Sequence, residues 1–205
     1  MGLVAASAVA LTSTGSRRSP RPSPPAAGAY LAAWRRSQLG TWRVVLRWER
    51  RAGGGRLDDE IRIAQRPPDR LVTGALAVDA RRDGRRLACA AGDGGRLRCR
   101  DAGAAPPYDQ QVAQQEAVLR QQVVGPQALY SVVGTGTGCF ELRLRFVRFP
   151  APPYGRLARF CFDGATGAPT LLDIDRIEGS DRQVAVQVSG SVSDEDLTPP
   201  QEAAQ

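Results

Sequence analysis

The sequence predicts a mainly β, α+β chain: a curved antiparallel sheet or half-barrel of about nine strands, with one N-terminal and one internal helix covering its concave face. Three observations predict it. Apolar and charged residues alternate with a period of two along one segment after another. Short glycine-rich turns join the segments, which suits hairpins and antiparallel pairing. Two stretches with helical spacing interrupt the strands, and strands that are apolar on one face need such cover.

The first element is a helix over 29–39, where Tyr30, Ala33, Trp34 and Ser37 share one stripe and Gly40 ends it. A strand over 41–50 follows, with Trp42, Val44, Leu46 and Trp48 alternating against Arg43, Arg47 and Glu49. Gly53-Gly54-Gly55 turns the chain into a strand over 57–66 that carries Ile61 and Ile63. Pro67-Pro68-Asp69 breaks it, and 71–80, which includes Leu76, makes a third strand. Asp83-Gly84 leads to 86–91, and Gly92 to Gly95 lead to 96–101. Residues 108–124 are glutamine-rich, with Val112, Leu119 and Val123 at helical spacing and Gly125-Pro126 as the stop. The run GTGTG at 134–138 reads as a flexible loop before a second meander: 139–149, 156–162, 170–178 and 182–192.

Strand register orders the four cysteines. Folding the chain about Gly94 sets Cys89 opposite Cys99, with Leu87 facing Asp101 and Ala91 facing Leu97. Folding it about Pro150 sets Cys139 near Cys161 and Glu141 opposite Arg159. Directly opposed residues of an antiparallel pair lie within disulfide reach, so the expected bridges are Cys89–Cys99 and Cys139–Cys161. A thiolate metal site needs short paired spacings, and none is present.

The composition excludes much chemistry. The chain has 205 residues, no His, no Lys and no Asn, so all 28 basic residues are Arg. Without His there is no Ser-His-Asp or Cys-His nucleophile system, and without Lys there is no P-loop or Schiff base. GTGTG does not satisfy the dinucleotide fingerprint, and it follows a helix rather than a strand. Asp58, Asp59 and Glu60 read as a solvated turn. The run from Asp173 to Gly179 fails the calcium-loop pattern at Ile177. No catalytic residue, metal site or cofactor is therefore expected, and the chain is read as a binder rather than an enzyme. The net charge is +7, but arginine alternates with apolar residues as on a solvated sheet face, so nucleic acid is set aside as a partner.

Four regions are expected: a signal-like apolar segment over 1–15, a Pro/Ser/Arg linker over 16–27, the β domain over 28–193, and an acidic disordered tail over 194–205. The apolar run Leu3–Leu11 resembles a signal-peptide core, and Ala8-Val9-Ala10 resembles a processing site. No basic residue precedes it, so either the true start lies upstream or the segment is a disordered Ala-rich tail. The expected location is extracytoplasmic, secreted or in the cell envelope, with the N-terminal segment cleaved, or retained if its true start lies elsewhere. Paired cysteines agree with an oxidising compartment.

The apolar strand positions that remain serve either a packed core or a lined cavity, and both readings stand. The candidate lining is Val44, Leu46, Trp48, Ile61, Ile63, Leu76, Phe140, Leu142, Leu144, Phe146, Phe160 and Phe162.

The order of these elements, with TWRVVLRWER at 41–50, RPPDR at 66–70 and APPYGRLARFCFD at 151–163, resembles an actinobacterial branch of the LolA/LppX-like superfamily of bacterial envelope proteins. The resemblance covers about residues 28–193. It implies a half-barrel closed by helices that binds a lipid or an acylated lipoprotein, with a membrane surface as a further partner and a monomeric state. Related RseB-type sensors imply an alternative: an envelope sensor or interaction module with a filled core. The chain departs from LppX-like lipoproteins because no Cys precedes Cys89, so a lipobox anchor is not supported. N-terminal sequencing of envelope or secreted material should find the chain starting beyond Ala10; an intact Met1 on cytoplasmic protein would contradict export.

Overall fold

The structure, a computed structural model, describes residues 24–74, 77–91, 97–146 and 152–199. Helix α1 spans Pro24–Leu39 and starts five residues before the apolar stripe suggested. Prolines suit a first helical turn, where the missing N–H has no partner to lose. Gly40 closes α1 with its N–H on the Arg36 carbonyl at 2.9 Å. A Cβ there would stand 2.8 Å from the Thr166 carbonyl oxygen, so the close approach requires glycine.

Six strands follow: β1 Trp42–Ala52, β2 Gly55–Arg66, β3 Asp69–Thr73, β4 Ala77–Arg82, β5 Arg85–Ala91 and β6 Leu97–Ala104. Helix α2, Tyr108–Val123, interrupts them. The second group is β7 Tyr130–Gly136, β8 Cys139–Leu144, β9 Leu157–Phe162, β10 Pro169–Arg176 and β11 Gly179–Ser189, and a 3-10 turn at Glu195–Leu197 ends the described chain.

The described residues thus hold eleven strands where the alternation suggested about nine. The apolar run 71–80 reads as one strand, yet it contributes to both β3 and β4, which pair with Val72 opposite Asp79. Three of the five GTGTG residues belong to β7, because Gly134 pairs with Phe140 and Gly136 with Cys139 of β8, despite the low strand propensity of glycine.

All eleven strands form one open antiparallel sheet in the order β6-β5-β4-β3-β2-β1-β11-β10-β9-β8-β7. Neighbours are consecutive in sequence except at the centre, where β1 pairs with β11 from Arg43–Ser189 to Ala52–Gly179. The two edges are β6 and β7, and α2 is the segment that joins them. It therefore crosses the open side of the sheet.

The sheet changes its buried face along its width. On β7–β10, alternate residues Tyr130, Val132, Phe140, Leu142, Ala158, Phe162 and Ile174 pack with Tyr30, Leu31, Ala33, Leu119 and Val123 of the helices. Trp42, Val44, Leu46 and Ile63 continue that face across β1 and β2, joined by Ala168. On β3–β5 the buried apolar residues are Leu71, Val78, Ala80 and Cys89, and these alternate to the opposite, outer face. They pack with Leu197 and Val192. The start of the acidic tail is consequently part of the domain, unlike the sequence expectation: Leu197 is buried, Asp194 pairs with Arg66 and Asp196 with Arg43.

Cys139 and Cys161 are cross-strand partners joined by a disulfide, with Cα atoms 4.1 Å apart. Cys89 is also disulfide-bonded, and Cys99 stands directly opposite it in register. Glu141, next along the outer face from Cys139, is buried between Arg143 at 2.5 Å and Arg159 at 3.1 Å. Burial alone raises its pKa, but the hydrogen bonds from the two guanidiniums outweigh burial and hold it below the usual carboxylate range.

The C-terminal end of α1 is tied to the sheet through buried polar groups. The Gln65 amide nitrogen donates toward the carbonyls of Ser37 and Gln38 at 2.8 Å and Gly40 at 3.0 Å. The Trp42 indole N–H takes Ser37 as well, and the Tyr108 hydroxyl donates to Gln38. These bonds satisfy carbonyls that a helix end leaves open.

Two stability predictions follow from these contacts. Gln65→Leu should cost about 1–3 kcal/mol in urea unfolding, because it strands buried carbonyls. Glu141 has a depressed folded pKa, so its contribution is present above the unfolded value and is lost as pH falls through the folded one. Glu141→Gln should accordingly lower stability at pH 7 and flatten the acid limb of the stability curve, measured by denaturant titration from pH 7 to 2.

Candidate ligand-binding face

The helix-covered face contains a packed part and an open part. In the packed part, Tyr30 of α1 is fully buried, with its ring 5.5 Å from Phe140, 5.4 Å from Phe160 and 6.5 Å from Phe162. Such tilted and edge-on contacts suit the ring quadrupoles. Burial drives the Tyr30 phenol well above its usual pKa, and its oxygen has no hydrogen-bond partner. Tyr154 extends the cluster, 5.4 Å from Phe160 and 5.7 Å from Tyr130. The Tyr130 hydroxyl fixes this loop by donating to the Gly155 carbonyl and accepting from the Tyr154 N–H.

The residues nominated from sequence divide between several environments. Phe140, Leu142 and Phe162 are buried beneath α1, with Leu144 and Phe160 partly buried at the margin. Val44, Leu46 and Ile63 are buried around Trp42, with Ile61 partly buried beside them. Trp48 is partly buried near the turn end of β1. Phe146 lies past β8, 45% exposed, with the Arg145 guanidinium 5.6 Å from its ring centre. Leu76 lies outside the described residues.

The open part lies between α2, α1 and the loop that carries Tyr154. A pocket of about 300 Å³ is lined by Trp34, Gln114, Gln115, Val118, Leu119, Gln122 and Tyr154. It contains none of the nominated residues. Its roof is α2, which buries only Val112, Leu119 and Val123, while Val118 is 54% exposed. An Arg35–Glu116 ion pair at 2.6 Å links the two helices at the surface, and such an exposed pair holds weakly. Sequence reasoning missed Trp34 and Tyr154 as lining. Trp34 reads as one position of an ordinary helix stripe, and Tyr154 sits in a Pro-rich loop without periodicity.

Comparison with solved structures places this architecture. The structure superposes on the crystal structure of MucB with a TM-score of 0.52, at 14% identity, covering 88% of this chain and 65% of MucB. That likeness shows a shared fold. LprF from Mycobacterium bovis matches with a TM-score of 0.40 at 13% identity, over 88% of this chain and 99% of that one. The LolA superfamily protein NE2245 from Nitrosomonas europaea matches at 0.35 and 7% identity, over 85% and 98%. The chain spans just under two thirds of MucB's length. No protein-family model matches the sequence, and no curated protein does. The space between α2, Trp34 of α1 and the Tyr154 loop is the candidate site.

Removing Tyr30 should separate the packed part from the open part. Tyr30→Ala is expected to destabilise the fold by about 3–5 kcal/mol, the usual range for truncating a buried aromatic, whereas Val118→Ala should change stability by less than about 0.5 kcal/mol. Thermal and urea unfolding of the two variants measure the contrast.

Proposed function

We propose that this chain is an extracytoplasmic binding protein, not an enzyme, that takes an acyl chain or a similarly slender hydrophobic group between α2, Trp34 of α1 and the loop that carries Tyr154. The observation that carries the reading is the 300 Å³ pocket, whose Trp34, Val118, Leu119 and Tyr154 side chains border the aromatic core beside a helix that buries only three of its residues. That volume lies at the lower end of the range for small-molecule sites, about 300–1,000 Å³. Paired cysteines support an oxidising compartment. The ligand class is a lipid or an acylated lipoprotein, met at a membrane surface by a monomer.

A second reading has its own support. The Tyr30 cluster fills the region that a deep half-barrel cavity would occupy, which favours a protein-interaction module. MucB has been crystallised in complex with MucA(peri), a partner stated for that protein. Ile177 and Val186, 70% and 55% exposed, supply apolar contact points for such a partner.

Native mass spectrometry of gently purified protein and titration with dodecanol distinguish the readings. The ligand reading expects a co-purifying lipid and saturable dodecanol binding. Val118→Arg should weaken that binding tenfold or more at an unchanged melting temperature, because an unpaired charge would meet the alkyl chain. Dodecanol binding that is indifferent to Val118→Arg would remove the pocket from consideration. Wild-type protein with neither lipid nor dodecanol binding would leave the interaction-module reading.

A further inference from the structure

Beside the apolar pocket, under the first turns of α2, lies a second cavity of about 90 Å³. Its lining includes Arg70, Arg81, Arg86, Tyr108, Gln111 and Gln115, and Gln115 is shared with the apolar pocket. The three arginines stand in one row across neighbouring strands. Arg70 of β3 is directly opposite Arg81 of β4, and Arg81 is directly opposite Arg86 of β5. Like charges directly opposed across strands are destabilising, so such a row calls for a counter-charge.

The protein provides little of it. Asp79 is the carboxylate lining the cavity, one against three guanidiniums. Arg81 is committed to α2: it donates to the Gln111 side-chain oxygen and the Pro106 carbonyl, each at 2.6 Å, and lies 5.1 Å from the Tyr108 ring centre. Arg86 makes a long contact to the Ala102 carbonyl at 3.4 Å. The Nε atoms of Arg70 and Arg81 are buried without a hydrogen-bond partner. Burial pushes the Arg70 guanidinium below its usual range, with Tyr108 and Asp79 acting in the other direction. A buried donor without an acceptor is costly, and guanidiniums pair best with carboxylate or phosphate oxygens.

We infer that the arginine row binds one oxyanion, a phosphate or carboxylate, and that this anion is the headgroup of the amphiphile whose chain enters the neighbouring pocket. The second half of this inference rests on the acyl-chain reading above; the first half stands without it. The adjoining pockets then form one amphipathic site, with Gln115 at the boundary between charge and hydrocarbon.

Calorimetric titration of the full chain with dodecyl phosphate, dodecanol and inorganic phosphate tests both halves. Dodecyl phosphate should bind at least tenfold more tightly than dodecanol. Arg70→Gln and Arg86→Gln should each remove most of that advantage and leave dodecanol binding unchanged. Arg86 is exposed, so its variant is expected to fold even if Arg70→Gln does not; Arg47→Gln, on the outer face of β1, is the control. Equal binding of dodecyl phosphate and dodecanol, unaffected by either variant, would overturn the oxyanion site and leave the apolar pocket standing. Arginine-dependent binding of inorganic phosphate with no binding of either alkyl probe would overturn the headgroup assignment and the acyl-chain reading, and retain a free-anion site. No binding of any of the three would overturn both.

Discussion

The pairing of β1 with β11 is the contact on which the rest of the molecule depends. Every other neighbour in the sheet is joined by a connection to the next strand, so each half is assembled from local hairpins. Among the described strands, only this seam unites segments far apart in sequence, from Arg43–Ser189 to Ala52–Gly179. It also places β6 and β7 at opposite edges, which obliges α2 to traverse the open side. Gly179 shows how tight the seam is: a Cβ there would fall 1.8 Å from the Arg51 carbonyl oxygen. Closing such a long-range pairing has an entropic cost that the hairpins do not share, so the seam is expected to form late in folding.

Much of the architecture was legible before any coordinates. Alternation located most strands because period-two burial is a strong local signal, and hairpin symmetry brought Cys139 opposite Cys161 and Glu141 opposite Arg159 as the register has them. The split of 71–80 was hidden, because Leu71, Val72, Val78 and Ala80 form an apolar run that looks uniform while serving two strands and both faces. The role of Leu197 was hidden for a related reason. A lone leucine in an acidic, Pro-containing tail has no periodicity, and only the outward-facing Leu71, Val78 and Ala80 explain why it is buried.

The candidate site was the least legible part. Alternation identifies apolar strand residues, and those residues mostly became packed core, around Tyr30 or around Trp42. The lining comes instead from α2, from Trp34 and from a loop tyrosine. The arginine row was in plain view yet read as a solvated sheet face, since charge at alternate positions is the ordinary mark of an exposed surface. It lies beneath α2 because the buried side of the sheet reverses between β2 and β3: Ile63 faces the helices, whereas Leu71 faces away, leaving Arg70 and Arg81 inside. A reversal of this kind is a tertiary fact, and no window of local sequence contains it.

Disulfide-bonded strands, β5 through its Cys89 and the β8–β9 pair through Cys139 and Cys161, flank the places where α2 leaves one edge and enters the other. Mechanically this is a beam with stiffened mounts. Cross-linked strands resist shear at each end, while the span is retained by a handful of apolar contacts, a surface ion pair and, near its start, the hydrogen bonds of Tyr108 and Gln111. Compliance is therefore concentrated in the span. Chemical reduction would soften the mounts and leave the central seam intact, so the redox state of the surroundings would set how firmly the beam is held without deciding whether the sheet exists.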